Sequence, residues 1–328
     1  MKVFVAGATG AIGRQLVPQL IAAGHEVSAL TRSADKQGAV RALGATPVVA
    51  DALDPEQVGR AVAQAEPEVI VHELTAIPPL IDMRHFDRSF AQTNRLRIEG
   101  TDHLLAAARA VGARRFIAQS YAGWPLARIG EKVKDETAAL DPHPAASMRE
   151  THSALRHLED AVTGAEWIEG IVLRYGGLYG PGTGMDRGQP QVELIRKRRY
   201  PVIGSGAGMW SFVHVADAAA ATVLAVDRGE PGIYHIVDDE PAPVSEWLPA
   251  AAAAIGAPAP RHLPAWLGRM LAGEAAVVMM TEISGAANAK AKRELGWQPH
   301  YRSWRDGFAR ELAGERGGKT LETARARA

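Results

Sequence analysis

The sequence predicts an α/β fold, in which a doubly wound parallel sheet carries a smaller C-terminal α/β lobe. Three observations predict this fold. Short runs rich in Val, Ile and Phe alternate with helical stretches through the first half of the 328-residue chain, as in βαβ units. Glycines follow several of these helices (Gly24, Gly44 and Gly112), where a left-handed residue ends a helix. A Gly-rich turn also joins the first strand to the first helix.

The predicted elements follow in chain order. The first six strands are expected at Lys2–Ala6, Glu26–Leu30, Thr46–Ala50, Val69–His72, Arg115–Gln119 and Ile168–Leu173. The helices between them are expected at Ile12–Ala23, Lys36–Leu43, Gln57–Gln64, Arg88–Val111 and Ala146–Thr163. The second half is less regular, with strands at Phe212–His214 and Ile233–Val237 and helices at Asp217–Val226, Val244–Ile255, Ala265–Gly273 and Ala286–Leu295.

The two domains are expected to be interleaved along the chain. Residues 1–176 and about 210–230 would form the larger domain, and about 177–209 and 231–312 the smaller lobe. The last residues, 313–328, are small, charged and Gly-containing, so we expect a flexible tail. A ligand should bind in the crevice outside the carboxyl ends of the strands.

Composition excludes several classes of function. Lys and Arg together number 37, and Asp and Glu together also number 37. The chain therefore has no net positive charge that would attract nucleic acid or an anionic membrane. The chain has no cysteine, which removes disulfides, thiolate metal sites and a cysteine nucleophile. Its 11 histidines follow no metal-ligand spacing, and no metal site is expected. No apolar run approaches the roughly 20 residues of a membrane span, and we expect a cytoplasmic protein that acts on a small molecule.

The strongest single motif runs from Gly7 to Gly13, with the sequence GATGAIG, between a predicted strand and a predicted helix. Gly7 permits a tight turn, Gly10 lets the backbone approach a pyrophosphate, and Gly13 lets the helix pack closely on the sheet. The free N–H groups at the helix N-terminus favour phosphate. The motif predicts a dinucleotide cofactor site that includes Gly7, Thr9, Gly10, Ala11, Ile12 and Gly13.

The residues after the second strand indicate which nicotinamide dinucleotide binds. An acidic side chain there selects NAD, whereas a cation accepts the 2′-phosphate of NADP. The strand ends in Thr31, Arg32 and Ser33, with no acid. Arg32 offers a fork suited to phosphate and Ser33 adds a hydroxyl, so we expect NADP(H) to be favoured over NAD(H). The alternatives are that Arg32 is a solvated loop residue and that Asp35 serves as a displaced acid.

Further segments extend the first motif. They are Asp51–Asp54, Val69–His72, Leu173-Arg174 with Leu178–Gly182, Phe212–Asp217 and Leu295–Pro299. Together with the GxxGxxG spacing, these segments cover residues 1 to about 310. Their order resembles that of the extended short-chain dehydrogenase/reductase superfamily, in its NAD-dependent epimerase/dehydratase branch. The resemblance implies a Rossmann sheet with strand order 3-2-1-4-5-6 and a homodimer paired through Arg88–Val111 and Ala146–Thr163. It also implies cofactor contacts from Asp51, Ala52, Leu74, Thr75, Ala76, Tyr175 and Leu178.

The resemblance also shows what is missing. The family's chemistry rests on a Tyr and, four residues later, a Lys, on the helix after the fifth strand, and a Glu usually follows that Lys by four. Glu159 fits the Glu, which puts Leu155 at the Lys position and Thr151 at the Tyr position. No YxxxK occurs anywhere in the chain, so the standard proton relay is absent and the member is atypical.

Three other residues are candidates for catalysis. Tyr121 stands where the family's catalytic Ser or Thr is usual, Ser120 lies one position earlier, and His152 lies beside the vacant Tyr position. The alternatives are that Tyr121 packs under the nicotinamide and that His152 is an exposed helix residue. Because no Lys accompanies it, Tyr121 would act as a neutral proton donor, which suits reduction better than oxidation.

Two replacements bear on the substrate. Related epimerases bind a sugar diphosphate through an Asn and an Arg. In this chain Gly177 stands at the position of that Asn, and Trp210 at the position of that Arg. Together with Met185, Trp210 suits an apolar or aromatic ligand, so Gly177, Met185 and Trp210 are the expected substrate residues. We expect an NADPH-dependent enzyme that reduces a carbonyl group of a small, non-nucleotide metabolite. The alternatives are a nucleotide-sugar epimerase or dehydratase with an altered relay, and an NADP-binding regulator without turnover.

Overall fold

The computed structural model describes residues 1–313, so the predicted tail lies, from residue 314 onward, outside the described residues. The strands are β1 (Lys2–Ala6), β2 (Glu26–Thr31), β3 (Thr46–Val49), β4 (Val69–His72), β5 (Arg115–Tyr121), β6 (Val133–Lys134), β7 (Glu169–Tyr175), β8 (Gly177–Tyr179), β9 (Val202–Ile203), β10 (Met209–Trp210), β11 (Phe212–His214), β12 (Gly232–Ile236), β13 (Ala242–Pro243), β14 (His262–Leu263) and β15 (Gly285–Ala286). The helices are α1 (Ala11–Ala22), α2 (Gln37–Ala42), α3 (Pro55–Ala65), α4 (Phe86–Arg95), α5 (Thr101–Val111), α6 (Arg149–Thr163), α7 (Pro190–Arg196), α8 (Val215–Asp227), α9 (Val244–Ala254), α10 (Ala265–Ala272), α11 (Glu274–Thr281) and α12 (Trp304–Glu311).

Seven strands form one parallel sheet in the order β12-β7-β5-β4-β1-β2-β3. Every neighbouring pair runs parallel, so the connections cross the faces of the sheet through helices. The strand order reverses between β1 and β4, and this reversal opens a crevice at the carboxyl edge of the sheet. The arrangement confirms the predicted doubly wound sheet and its order 3-2-1-4-5-6, in which β7 is the sixth strand.

Two apolar layers bury the sheet. Val3 and Val5 of β1 face the layer formed by α1 and α8, whereas Phe4 between them faces the layer formed by α3 and α5. All three side chains are fully buried, as expected for a parallel strand covered on both faces. Local signals place the helices: the Asp54 carboxylate accepts the backbone N–H groups of Glu56 and Gln57, both at 3.0 Å, where α3 begins.

The edge strand β12 corrects one domain boundary. Ile233 pairs with Val172 of β7, and Tyr234 and Ile236 are buried in the same core as α8. The sequence predicted that residues from 231 onward belong to the smaller lobe, and that boundary is wrong. The strand β12 pairs with β7 at the edge of the large sheet and its last three residues are buried, so the larger domain extends to residue 236.

The segment predicted as the helix Ala286–Leu295 also differs. Gly285–Ala286 forms β15, which pairs with β6, and only Ala291–Leu295 winds into a π turn. The Ser211 hydroxyl accepts the backbone N–H of Ala286 at 2.8 Å and donates to its carbonyl at 3.1 Å, so a tertiary contact overrides helix propensity. The long helix predicted at Arg88–Val111 is divided into α4 and α5 by a second π turn, Leu96–Gly100, and α7, α11 and α12 were not predicted.

The smaller lobe has its own aromatic core, which includes Phe212, Trp247, Trp304 and Phe308. Another apolar group, here called the junction cluster, consists of Phe86, Phe90, Trp124, Ala145, Met148, Leu155, Ala275, Val278, Met279 and Ile283. The junction cluster joins α4 and α6 of the larger domain to α11. Within the part of the chain that the structure describes, no helix combines the length and the hydropathy needed to cross a bilayer.

Candidate cofactor and active site

The Gly7–Gly13 loop forms a cradle made of backbone. Gly7 has φ +110°, and a Cβ there would lie 2.6 Å from the Glu73 carbonyl. A Cβ on Gly13 would lie 2.3 Å from the carbonyl oxygen of Gly7, whereas a Cβ on Gly10 would meet nothing closer than 3.3 Å. Two of the glycines are therefore required for close packing, and Gly10 leaves open backbone at the surface. The helix α1 begins at this loop without a side-chain cap, so its first N–H groups are available to a phosphate.

The predicted cofactor residues of this loop, Thr9, Ala11 and Ile12, lie around the same turn. Thr9 and Ala11 are half-buried, and Ile12 is buried in the core beneath them. The Arg14 side chain donates to the Thr9 carbonyl at 3.0 Å and holds the turn closed. The residues present therefore fit the pyrophosphate of a dinucleotide, and a bound nicotinamide dinucleotide would supply hydride chemistry at the carboxyl edge of the sheet.

The end of β2 carries both a cation and an anion. Arg32 is exposed, and its side chain makes no hydrogen bond within residues 1–313. The Ser33 hydroxyl bonds the Asp35 carboxylate, and the Thr31 hydroxyl donates to the Ser33 carbonyl at 3.3 Å. Ser33 is thus engaged with an acid, and Arg32 is the group left to meet a 2′-phosphate. The cofactor preference stays a prediction.

The ends of β3 and β4 place the remaining predicted contacts. The Asp51 carboxylate accepts the Leu53 backbone N–H at 3.0 Å, and the buried Ala52 carbonyl accepts from the His103 ring at 3.0 Å. After β4, the Leu74 N–H donates to the His72 ring at 3.2 Å and the Ala76 N–H to the Thr93 hydroxyl at 3.0 Å. These bonds fix the loop of Leu74, Thr75 and Ala76, in which Thr75 and Ala76 are exposed.

Tyr175, a predicted cofactor contact, lies inside the protein in the structure. Its side chain is buried in the core, where the hydroxyl donates to the Glu73 carboxyl at 2.9 Å and bonds the Thr222 hydroxyl at 2.6 Å. Its position at the end of β7 suggested the crevice, but its pleat direction turns it toward α8. Leu178 is half-buried against the same core.

Glu73 is a residue that sequence reasoning missed. It is buried, its second carboxyl oxygen finds no partner within residues 1–313, and burial raises its pKa to about 8. A protonated carboxyl therefore lies directly beneath the Gly-rich loop. The sequence signal was an acid placed immediately after the apolar run Val69–His72.

Ser120, a predicted catalytic candidate, is buried as well. Its hydroxyl donates to the Glu159 carboxylate at 2.6 Å, in a buried position. Arg174 binds both oxygens of the same carboxylate, at 2.8 and 2.6 Å. Ser120 thus belongs to a structural network that ties β5 and β7 to α6, because its side chain points into the protein and not into the crevice.

The positions that the resemblance assigns to the relay carry no acid or base. The Thr151 hydroxyl donates to the Asp87 carboxylate at 2.7 Å and accepts the Asn94 side-chain amide at 3.1 Å. Leu155 is fully buried in the junction cluster. Asp87 also accepts the backbone N–H groups of Glu150 and Thr151, so the start of α6 is fixed to α4. Nothing in the sequence pointed to this role of Asp87.

The two remaining proton-donor candidates differ in their surroundings. Tyr121 is half-buried, its ring lies 5.9 Å from that of Trp124, and burial holds its pKa above the ordinary value. Its hydroxyl makes no hydrogen bond within the described residues. His152 is buried, and its ring N–H donates to the Pro125 carbonyl at 3.1 Å. His152 lines a separate pocket of about 520 Å³, whose walls include none of the predicted cofactor residues.

The predicted substrate residues fall in two places. Trp210 and Tyr121 are both partly buried against the junction cluster, so they share one apolar wall. The Trp210 indole donates to the Met279 carbonyl at 3.0 Å and stacks on Phe212 at 6.1 Å between ring centroids. Gly177 packs on Phe212 as well, because a Cβ there would lie 3.1 Å from its ring. Met185 is instead buried in the core of the smaller lobe.

Metal ligands show no grouping in this structure. Over residues 1–313, no three His, Asp or Glu side chains converge on a point that a metal ion would occupy.

Comparison with known proteins follows the geometry. Residues 3–236 match the model of the "NAD dependent epimerase/dehydratase family". The chain is 48% identical, over 95% of its length and 100% of the relative's, to a Streptomyces 3-diazoavenalumate denitrifying reductase. It is 28% identical, over 90% of its length and 92% of the relative's, to a Stigmatella aurantiaca ketoreductase of a farnesyl-dihydroquinoline oxide. The fold is similar to that of a Thermotoga maritima UDP-glucose 4-epimerase, with a TM-score of 0.73 and 23% identity, over 98% of this chain and 100% of the other.

Proposed function

This chain belongs to the NAD dependent epimerase/dehydratase family as an NAD(P)-dependent reductase, and we propose that it transfers hydride from NADPH to a small, non-nucleotide aromatic acceptor. The observation that carries the proposal is the wall shared by Tyr121 and Trp210 beside relay positions that hold Thr151 and Leu155. Bound NADPH supplies the hydride, and the residues of the chain orient the acceptor and control protons.

The lining supports an aromatic acceptor over a nucleotide sugar. A Cβ on Gly177 would lie 3.1 Å from the Phe212 ring, so a side chain there would have to push the ring aside, and Gly177 itself offers no group that could bind a diphosphate. Trp210 takes the place of a cation and is anchored through Met279. Aromatic ligands gain from such faces, whereas a diphosphate needs donors and positive charge.

For the reducible group, we propose a diazo group attached to an aromatic ring. The Streptomyces relative is named for a diazo substrate and for removal of nitrogen. Hydride added to the terminal nitrogen of an aryl diazonium forms a new N–H bond and neutralises the cation. The N–H proton is then released, the C–N bond breaks and N2 leaves, and the ring carbon, which keeps the electron pair of that bond, takes up one proton. The sum, ArN2⁺ + H⁻ → ArH + N2, consumes no proton, and so it suits a site whose relay positions are Thr151 and Leu155.

Carbonyl reduction is the second candidate, and the Tyr121 hydroxyl favours it. Reduction of C=O takes up one proton after the hydride, and a positioned acid contributes about 10²- to 10⁴-fold to such a step. Tyr121 is neutral, and its hydroxyl is not committed to a hydrogen bond in the part of the chain described. Two relatives, from Stigmatella aurantiaca and Stenotrophomonas maltophilia, are named as reductases of oxo compounds.

One experiment separates these functions. The protein is mixed with NADPH deuterated at C4 and, in turn, an aryl diazonium salt, an aromatic ketone, a quinone and UDP-glucose, with heat-inactivated protein as the control. We expect NADPH oxidation and N2 release in equal amounts with the diazonium salt, at a rate that is lower with the deuterated than with the ordinary NADPH. In Tyr121→Phe this rate should stay within about twofold, whereas ketone reduction should fall at least about tenfold.

The other outcomes decide against the proposal. Ketone or quinone turnover without N2 release would establish the carbonyl function instead. Turnover of UDP-glucose alone would establish an epimerase or dehydratase. Tight NADPH binding with no hydride transfer to any acceptor would indicate a regulator.

We also propose a homodimer that pairs α4, α5 and α6 with their counterparts. Ile98 is exposed between α4 and α5, and the His157 ring bonds Asp102 across α5 and α6 at 2.8 Å, which keeps the two helices aligned. Light scattering at micromolar protein should give twice the chain mass of 35.0 kDa. A monomeric mass would reject the pairing.

A further inference from the structure

The pocket of about 520 Å³ beside α6 has walls that include neither the predicted cofactor residues nor Tyr121 and Trp210. Its volume lies within the range of small-molecule sites. Four residues of α6 line it at the spacing i, i+3, i+4 and i+7, so they share one face of the helix: Arg149, His152, Ser153 and Arg156. The proposed function leaves this face of α6 without a role.

Two cations in the wall of this pocket have no counter-ion among residues 1–313. Arg149 and Arg156 are exposed, and their side chains make neither a hydrogen bond nor an ion pair there. The third arginine of the wall, Arg128, is committed to acids, because it donates to Asp141 at 2.8 Å and also pairs with Glu282. The pocket therefore presents two arginines that are available to a ligand.

The two acids that border the pocket are held by other partners. Asp141 binds Arg128 and accepts the His143 backbone N–H at 2.9 Å. Glu274 binds Arg269 at 3.2 Å, on the neighbouring helix α10. Neither acid is bonded to the two available arginines, so the mouth of the pocket keeps an excess of positive charge that attracts an anion.

The His152 ring offers the same pocket a hydrogen-bond acceptor. His152 is 3% exposed, and its Nε2–H donates to the Pro125 carbonyl at 3.1 Å, since a carbonyl oxygen can only accept. Burial lowers the pKa of His152, and the charge of Arg156 adds to this effect, so the ring is neutral at pH 7 and Nδ1 carries a lone pair. Nδ1 finds no partner within the described residues and is not closed to solvent. A ligand that fills the pocket can therefore donate a hydrogen bond to it.

The inner wall of the pocket is apolar. Ala145 and Val278 line it and belong to the junction cluster, and Pro144 lies beside them. Such a wall suits the face of an aromatic ring. Tyr121 and Trp210 pack against the same cluster without lining the pocket, so the pocket is a second site with walls of its own.

We propose that this pocket binds a small phenolic carboxylate, as a ligand distinct from the cofactor and the acceptor. The carboxylate lies at the mouth between the exposed Arg149 and Arg156, and the aromatic ring lies on Ala145 and Val278. The phenol hydroxyl points inward and donates to Nδ1 of His152. This arrangement pairs the two free cations and satisfies the buried acceptor. The inference needs neither cofactor nor turnover, so it does not rest on the proposed function.

Ligands that each lack one group test the assignment on the unaltered protein. Dissociation constants are measured by calorimetry, without cofactor, for 4-hydroxybenzoate, 4-methoxybenzoate, phenol and inorganic phosphate. We expect 4-methoxybenzoate to bind about 3- to 10-fold more weakly than 4-hydroxybenzoate, because it has no donor for Nδ1. Phenol and phosphate should bind at least about 10-fold more weakly. No binding of 4-hydroxybenzoate at millimolar concentration, or equal binding of phosphate, would overturn the proposal.

A double variant tests the two arginines. Arg149→Gln with Arg156→Gln should weaken 4-hydroxybenzoate about 10- to 100-fold and leave phenol within about twofold, because only the charge-assisted contacts are lost. The matched control is Arg60→Gln, which removes an exposed arginine of α3 that lies outside the pocket and bonds Glu56 at 3.5 Å. It should change neither affinity. Equal losses for the two ligands in the double variant, or unchanged affinity for both, would contradict the assignment.

The last variant tests the acceptor. In His152→Leu, 4-hydroxybenzoate and 4-methoxybenzoate should bind within about twofold of each other, since Nδ1 is gone. A preference for the hydroxyl that persists in His152→Leu would show that another group accepts it and would overturn this part of the site. If the variant does not fold, the ligand series on the unaltered protein still decides.

Saturating NADPH tests whether the site is separate. The affinity for 4-hydroxybenzoate should then stay within about twofold of its value without cofactor. Mutual exclusion of the two ligands would place 4-hydroxybenzoate in the cofactor site and overturn the proposal, while the proposed function would stand.

Discussion

The Gly7–Gly13 loop at the carboxyl edge of the sheet and the Thr151–Glu159 face of α6, which is buried against α4 and β5, are built on different principles. The loop is made of backbone, and two of its glycines, Gly7 and Gly13, are required by contacts of 2.3–2.6 Å that any Cβ would make. The face of α6 depends on side chains, and it carries Thr151 and Leu155 where the family's relay is expected. A binding site made of backbone tolerates few changes, whereas a reactive face made of side chains can be rebuilt on the same fold.

The largest effect should come from restoring a cation to α6. Leu155 is fully buried beside Phe86 and Phe90, so Leu155→Lys would place an ammonium group without a partner in the junction cluster. We expect a loss of about 3–5 kcal/mol in the free energy of unfolding by urea, as for other uncompensated buried charges. Leu155→Met, the control, conserves volume and should lose less than about 1.5 kcal/mol.

A well-tolerated lysine would break the comparison. If Leu155→Lys folds as stably as Leu155→Met and raises the rate of ketone reduction, this face of α6 can still accommodate the lysine of the family's proton relay. The position would then be a recent substitution in an otherwise conventional site.

The next largest effect should come from the loop. A side chain on Gly13 meets the Gly7 carbonyl and the Ala8 backbone at 2.3–2.6 Å, and neither can move without opening the cradle. Gly13→Val should therefore weaken NADPH by about 100-fold, at the upper end of overpacking costs of about 3 kcal/mol. Gly59→Ala in α3, where a Cβ meets nothing within 4 Å, is the control and should bind NADPH normally. Unchanged NADPH affinity in Gly13→Val would show that the cofactor binds elsewhere.

Cofactor selection is expected to depend on one exposed side chain. Arg32→Ala should weaken NADPH by about 10- to 100-fold and leave NADH nearly unchanged, because a charge-assisted contact to the 2′-phosphate is lost. Arg41→Ala removes an exposed arginine from α2, which bonds Gln37, and should change neither affinity. Equal losses for both cofactors in Arg32→Ala would show that this arginine does not recognise the 2′-phosphate, and Asp35 would then be the residue to test.

The contrast between backbone and side chains also explains how much the sequence could predict. Strand order, the cradle and the crevice follow from local patterns: alternating elements, glycine spacing and apolar strands. The wall shared by Tyr121 and Trp210 could be anticipated only as two candidates, since residues 89 positions apart meet through a cluster assembled from four segments. The sequence shows that position 155 is apolar, but it does not show which neighbouring side chains bury Leu155.

The buried polar pairs could not be predicted for a related reason. Tyr175 bonds Glu73, which lies 102 residues earlier, and Ser120 bonds Glu159, 39 residues later. No periodicity links such positions, and each residue alone resembled a site residue at a strand end. Only the pleat direction, set by tertiary pairing, turned Tyr175 and Ser120 away from the crevice.

The most gradual effect concerns Glu73, an ionisable side chain placed under the backbone cradle. Its folded-state pKa of about 8 exceeds the ordinary 4.5, so between these pH values the folded protein holds a proton that the unfolded chain has released. The stability that this proton contributes is present below pH 4.5 and is lost as pH rises through about 8, with a slope of at most about 1.4 kcal/mol per pH unit. Asp238, buried in the smaller lobe with its pKa raised to about 8, contributes a decline of the same sign.

Glu73→Gln keeps the acceptor for the Tyr175 hydroxyl and removes the ionisation. We expect urea unfolding at pH 4 to show little change, because Glu73 is then protonated in both states, and at pH 9 the variant to be more stable than the unaltered protein. NADPH affinity should fall above pH 8 in the unaltered protein, because the ionised carboxyl beneath the loop repels phosphate, and it should stay level in Glu73→Gln. Glu131→Gln, at an exposed position, is the control and should follow the unaltered protein at both pH values. If stability and NADPH affinity decline equally in Glu73→Gln, Glu73 is not the titrating group, and the cradle depends on its backbone alone.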